Sequence, residues 1–242
     1  MSHDRWQERV TDLRVELAER ADLSRIPQLK RYFQAFDGGY AEGDRFLGVR
    51  VPDCRKVARS YRYLPLDGIT ELLRSAYHEE RLIGLLIMVN QYEKADHEGR
   101  WRLVQHYIEH RRGVNNWDLV DSSADKLLGR FVLEGGAPES IIDELAASES
   151  LWDNRIAMIS TFAFIREGRF ELPLRIAALL LHHPEDLIHK AVGWMLREIS
   201  NRDPEVGVSF LEAHASEMPR TMLRYAIEKL PKRQRDRWLR RR

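Results

Sequence analysis

A faint internal repeat is the strongest constraint on what this chain can fold into. Five segments share an apolar pattern around a charged anchor: ERLIGLLIM at Arg81, WDLVDSSAD at Asp118, NRIAMISTF at Arg155, HKAVGWMLR at Lys190 and LRYAIEKLP at Arg224. Successive anchors lie 37, 37, 35 and 34 residues apart. A near-constant period of this size reports one supersecondary unit repeated along the chain, each unit burying its apolar face on the next. Apolar residues recur at helical spacing, and no segment shows a convincing period of two. The chain therefore reads as all-α, a right-handed solenoid of about six helix-pair repeats of the HEAT type. Corresponding helices would line up along one concave face, where residues far apart in sequence can form one site.

The bulk properties fit that reading and exclude others. A length of 242 residues suits one domain: N-terminal helices and a Gly-rich loop over 1–50, the repeat array over 51–232 and a basic tail over 233–242. A 43% hydrophobic fraction is ample for a core, and 32% charge suits helices with one wet face each. The longest apolar runs, IGLLIMV and RIAALLL, are far too short to span a bilayer, so no membrane partner is expected. The N-terminal MSHDRWQERV has no signal-peptide core. Cys54 is the only cysteine, so no internal disulfide can form and a cytoplasmic location follows. The net charge of +1 hides an asymmetry: residues 218–242 hold ten Lys/Arg against two Asp/Glu. Such a patch is a phosphate footprint, although the final arginines, Arg240 to Arg242, read as a solvated terminus.

Helices are expected almost continuously, including 4–20, 25–36, 79–93, 116–131, 151–166 and 185–200. Ser150 followed by Asp153 resembles a capping box, and Asp203-Pro204-Glu205 supplies an N-cap, a first-turn proline and an acid. Gly113, Gly135-Gly136 and Gly168 are expected stops. The irregular stretch Asp37 to Gly48 carries Gly38, Gly39 and Gly43. It lacks the lysine and hydroxyl of a P-loop and reads as a linker, or as a loop that touches a ligand.

Trp117 and Asp121 stand four apart, on one face of one helix that Asn115 or Asn116 would cap. Leu119, Val120 and Leu127 can supply the core stripe, leaving Trp117 and Asp121 for the other side. Arg155 lies one repeat later and Trp194 one repeat after that. Neighbouring helices pack about 8–10 Å apart, so these four side chains could surround one pocket. Core packing for Trp117 and a structural ion pair for Arg155 are the plain alternatives. His78-Glu79-Glu80-Arg81 lacks the second histidine of a zinc-protease helix, and His182-His183 has no ligand cluster at metal spacing, so no metal is expected. Cys54 follows Pro52-Asp53 at a helix start, which would lower its pKa, but no histidine pairs with it as in a nucleophile.

At these residues the chain resembles the AlkD family of DNA alkylation repair glycosylases. The matching pieces are Phe46-Leu-Gly-Val-Arg-Val-Pro52, Trp117-Asp-Leu-Val-Asp121, Trp152-Asp-Asn-Arg-Ile-Ala157 and Lys190-Ala-Val-Gly-Trp-Met-Leu-Arg-Glu198. The resemblance runs from about residue 25 to about residue 232. It implies a HEAT-like cradle for duplex DNA that hydrolyses the N-glycosidic bond of cationic N3- and N7-alkylpurines, without deep base flipping and without a cofactor. It assigns Trp117, Asp121, Arg155 and Trp194 to the catalytic centre and Tyr32 to a lesion-proximal position. Lys190, Arg197, Arg220 and Arg224 become candidates for phosphate contacts, and the protein is expected to act as a monomer on double-stranded DNA carrying alkylated bases. The alternatives are a non-catalytic HEAT-repeat protein that binds branched or bent DNA, and a protein–protein scaffold.

Overall fold

The computed structural model describes residues 5–240, so Arg241 and Arg242 of the expected basic tail lie outside the described residues. Helices are the only regular elements among the described residues, apart from one isolated bridge, Arg45 to Tyr77. The chain divides into two compact units, one ending at Ser123 and the other beginning at Ala124.

The first unit contains α1 (Arg5–Ala18), α2 (Ile26–Tyr32), α3 (Val51–Ser60), α4 (Leu66–Leu73), α5 (His78–Tyr92), α6 (His97–Glu109) and α7 (Trp117–Ser123). Its central element is α5, which packs on α3, α4 and α7 and is buried along most of its length. Burial begins with four consecutive polar residues, His78, Glu79, Glu80 and Arg81, before the apolar run takes over. Each must find a partner, because an unpaired buried charge is far costlier than a buried leucine is favourable. Glu80 meets Arg14 of α1 at 3.0 Å.

Helix α2 stops short of the expected residue 36. Gln34 takes a positive φ of 52° and the Ala35 N–H reaches back to the Lys30 carbonyl at 2.8 Å. That is a Schellman-type end with glutamine where glycine is usual, so no glycine marked it in the sequence. The Gly-rich stretch that follows is tied down rather than a free linker. Arg45 exchanges backbone hydrogen bonds with Ala76 and His78, and the Glu79 carboxylate accepts the N–H groups of Leu47 and Gly48. Gly48 has φ +83° and a Cβ there would sit 2.0 Å from the Asp22 carbonyl oxygen, so the close approach requires glycine.

The second unit begins with a π-helical turn, Asp125–Gly129, where a continuous α-helix was expected over 116–131. The Gly129 N–H bonds the Ala124 carbonyl at 2.9 Å, the wider i to i+5 pattern. It continues through α8 (Arg130–Leu133), α9 (Ser140–Ala146), α10 (Leu151–Ser160), α11 (Phe162–Arg166), α12 (Glu171–Leu179), α13 (Asp186–Arg202), α14 (Pro204–His214), α15 (Arg220–Ala226) and α16 (Lys232–Arg240). The caps at Ser150 and Asp203 form as their sequences suggest, and Gly135 and Gly168 take positive φ at helix ends. All five repeat anchors fall on helices: α5, α7, α10, α13 and α15. Within the first unit α5 packs on α7, and within the second α10 packs on α13 and α13 on α15. The side-by-side order that the period implies therefore holds inside each unit. At Gly193 a Cβ would meet the Met222 carbonyl at 2.5 Å, so glycine lets α13 and α15 approach this closely.

Candidate functional site

The first unit holds a cavity of about 260 Å³ whose walls include Tyr32, Phe33, Phe46, His78, Trp117 and Asp118. Helix α7 positions the last two. The Asn116 side-chain carbonyl accepts the N–H of Trp117, the first residue of the helix, at 2.8 Å. Leu119 and Val120 are fully buried, which fixes the roll of the helix. Trp117 and Asp121 are then left half-buried. Trp117 stacks on Phe33 at 5.5 Å and 29°, and Phe33 stacks on Phe46 at 5.5 Å and 10°. Tyr32, 62% exposed, meets Trp117 edge-on at 5.5 Å. Two residues singled out in the sequence, Tyr32 and Trp117, are thus brought together in one aromatic wall.

Behind the wall lies a buried ionic chain that sequence reasoning missed. His78 packs against the rings of Phe33 and Phe46 at 4.7 and 5.2 Å. Its Nε2 meets the Asp118 carboxylate at 2.8 Å and its Nδ1 meets Asp44 at 3.5 Å. Arg81 donates to the same Asp44 oxygen at 2.6 Å and to the Ser75 carbonyl at 2.8 Å. Burial opposes a charge on His78, but the hydrogen bonds it donates to Asp118 and Asp44 outweigh it and lift the imidazole to about 9. His78 is therefore an imidazolium at neutral pH, clamped between two carboxylates. The Asp118 Oδ1 is buried and makes no hydrogen bond. The one available signal was the polar run HEER leading into an apolar helix, which marks buried charge only once its partners, 34 and 40 residues away, are known.

Cys54 corrects an expectation. It is fully buried, and burial with nearby Glu79 and Asp53 pushes its thiol up to about 12 rather than down. The helix-start effect loses to desolvation, and the thiol is inert.

In the second unit Arg155 is buried and donates to the Leu187 carbonyl at 2.7 Å, so it ties α10 to the start of α13. Trp194 is half-buried beside Phe162, with ring centroids 5.7 Å apart, and Arg166 lies over the same Phe162 ring at 4.4 Å. Of the phosphate candidates, Lys190 pairs with Asp186 at 2.7 Å, and Arg197 pairs with Glu228 and lies 3.7 Å from Glu198. Arg220 and Arg224 are exposed, Arg220 donating to the Leu239 carbonyl.

One further cluster was not anticipated. His106 and Glu109 at the end of α6 and His110 just after it hold their donor atoms within 4.8 Å of one another. The His106 Nε2 lies 3.1 Å from the Thr70 hydroxyl, and the His110 Nδ1 lies 3.0 Å from the His106 carbonyl. Burial and the neighbouring His110 lower His106 to about 4, so it is neutral.

Packed helices whose repeat anchors line up within each unit define a helical repeat protein. The chain belongs to the DNA alkylation repair enzyme family, whose sequence model matches residues 13–230. It is similar in fold to a solved structure described as a predicted DNA alkylation repair enzyme from Enterococcus faecalis. That match has a TM-score of 0.68 at 15% identity and covers 88% of this chain and 98% of the other. No curated protein matches the sequence. No helix among the described residues is long and apolar enough to cross a membrane.

Proposed function

We propose that this member of the family is a DNA glycosylase that hydrolyses the N-glycosidic bond of cationic N3- and N7-alkylpurines in duplex DNA. The observation that carries this reading is on α7: Trp117, edge-on to exposed Tyr32, stands one helical turn before half-buried Asp121. An alkylated purine already bears positive charge, so when the C1′–N bond breaks its electron pair leaves a neutral base. No general acid is needed: of the two α7 carboxylates, Asp118 is committed to His78, and Asp121 alone is asked to act. Positive charge develops on the deoxyribose instead. Asp121 stabilises it and orients the water whose oxygen attacks C1′, the released proton passing to the carboxylate or to solvent. Trp117 and Tyr32 favour a cationic base over a neutral one through their ring faces, by roughly 0.5–2 kcal/mol each. In the second unit Trp194 serves as a further aromatic contact, Lys190, Arg197, Arg220 and Arg224 as phosphate contacts, and buried Arg155 as the residue that positions the start of α13 through the Leu187 carbonyl.

The test is base release from duplex DNA carrying a single N7-methylguanine, with wild type and Asp121→Asn side by side. Loss of one preorganised electrostatic partner is expected to slow release about 10²–10³-fold while duplex affinity is kept. Unchanged release by the variant removes Asp121 from the mechanism. No release by wild type, with duplex or junction binding intact, favours a non-catalytic protein for branched or bent DNA.

A further inference from the structure

A second cavity in the first unit, of about 450 Å³, is larger than the aromatic one and of opposite character. It opens between the end of α4 and the α4–α5 turn, with Leu73, Arg74 and Ser75, and the α6–α7 connection, with Arg112, Gly113 and Asn115; Arg81, Glu109 and His110 complete it. Three guanidiniums face one carboxylate. Glu109, Arg74 and Arg112 are exposed, and neither arginine has an ion pair among the described residues. Arg81 lies deep, only 3% exposed, with its Nη groups taken by Asp44 and Ser75 and its Nε–H left without a hydrogen-bond partner. The Asn115 Oδ1 is likewise buried and unpartnered. Buried polar atoms are almost always satisfied, so a donor and an acceptor both unmet in residues lining one cavity point to a ligand.

We propose that this cavity is a phosphate-binding site, and that its ligand carries a hydrogen-bond donor beside the phosphate, as a nucleotide unit does. Two exposed guanidiniums suit the oxygens of a phosphate, and the deeper Arg81 supplies a third positive charge. The Asn115 Oδ1 accepts from a hydroxyl or N–H of the attached group. The volume is that of a small-molecule site and leaves room for more than the phosphate itself. A cation fits the neighbouring histidines poorly. The His106 and His110 rings stack 4.2 Å apart at 29°, so their in-plane lone pairs run side by side rather than converge, and Arg74 repels a metal ion. Arg81 also links the site to the aromatic cavity, because the Asp44 oxygen it holds is the one facing His78. Occupancy of the arginine cavity is therefore felt at the His78 ring. None of this depends on whether the chain excises bases.

The test is a titration with inorganic phosphate followed by nitrogen-15 NMR of the arginine Nε–H groups and histidine rings. It compares wild type with the Arg74→Gln/Arg112→Gln variant. Both substituted residues are exposed and unpaired, so the fold is expected to survive, as the amide spectrum will show. Wild type is expected to give saturable shifts at Arg81 and His78, and the variant to bind about tenfold or more weakly, since it loses two charge-assisted contacts. A short unmodified duplex then distinguishes the sources of the phosphate. If phosphate competes with the duplex in wild type only, the ligand is a strand phosphodiester. If phosphate binds without affecting duplex affinity, the ligand is a free phosphate compound. The proposal is overturned if phosphate gives no saturable response, if chloride gives the same one, or if the variant responds like wild type. Saturable zinc binding at the same residues in place of phosphate also overturns it.

Discussion

The aromatic cavity of the first unit and the α13–α15 face of the second handle charge in opposite ways. Around the cavity, Asp44, His78 and Arg81 are buried and hold one another through side-chain hydrogen bonds, with Asp118 completing the chain. On α13 and α15 the basic side chains sit at or near the surface, and Lys190 and Arg197 are paired with the nearest carboxylates. A buried pair cannot exchange partners with solvent, so losing one member strands the other. A surface pair is held by a net energy near zero and can give up its carboxylate for a phosphate. The first region is thus held in one geometry, and the proposed phosphate contacts of the second would need only the exchange of a weakly held carboxylate.

The largest effect expected from this contrast is His78→Ala. It leaves Asp44 and Asp118 without their shared imidazolium and opens a void behind Phe33 and Phe46. Breaking a buried ionic group of this kind costs about 3–5 kcal/mol. Denaturant unfolding, with hydrogen exchange on residues 44–48 and α7, measures both the size and the location. A cost below about 1 kcal/mol would place the His78 chain in the same category as the surface pairs and dissolve the comparison.

Much of the fold was legible because it rests on period. The spacing of Arg81, Asp118, Arg155, Lys190 and Arg224 needs only the apolar stripe of each helix, and local caps such as Ser150 and Asp203 act over three residues. The π-turn at Asp125–Gly129 was not legible, because it changes the hydrogen-bond register without changing composition. The end of α2 was missed for a related reason: Gln34 fills a position that glycine usually announces. At the site, the nearness of Tyr32 to Trp117 followed from the family resemblance, not from spacing. The partners of His78 lay beyond any local reading, since Asp44 and Asp118 approach it from a loop and from a different helix. A polar run inside an apolar segment showed that partners must exist, but not which.

A pH series sharpens the same contrast. His78 is raised in the folded state to about 9, above its ordinary 6.5. The folded state therefore binds this proton more tightly than the unfolded chain. The resulting stabilisation is full below about 6.5, declines as pH rises and is lost as pH passes about 9. His106, lowered to about 4, has the opposite sign: the unfolded chain takes up its proton first, so stability falls as pH drops from about 6.5 towards 4. Hydrogen exchange around α7 is expected to accelerate beyond the intrinsic rise between about pH 6.5 and 9 and to follow the intrinsic rise above that. Below pH 6.5 the loss is expected around Thr70 and the end of α6. Equal alkaline loss in His78→Ala and wild type would show that some other group carries the effect.

The smallest effect on stability, and the most informative about the second region, is expected from Arg197→Ala. Its side chain is largely buried and only its guanidinium tip reaches exposed Glu228, an ion pair that itself contributes about 0–1 kcal/mol. Thermal unfolding should therefore move mainly by the packing lost with the stem. If Arg197 gives up Glu228 for a backbone phosphate when duplex binds, the substitution removes one counterion-releasing contact. The slope of log affinity against log salt then becomes shallower by about 0.9. A slope identical to wild type leaves Arg197 as an internal brace between α13 and α15, and the phosphate contacts then fall to exposed residues such as Arg224. A large loss of stability would mean that the paired side chain is held like those around His78, and the two regions would no longer differ in kind.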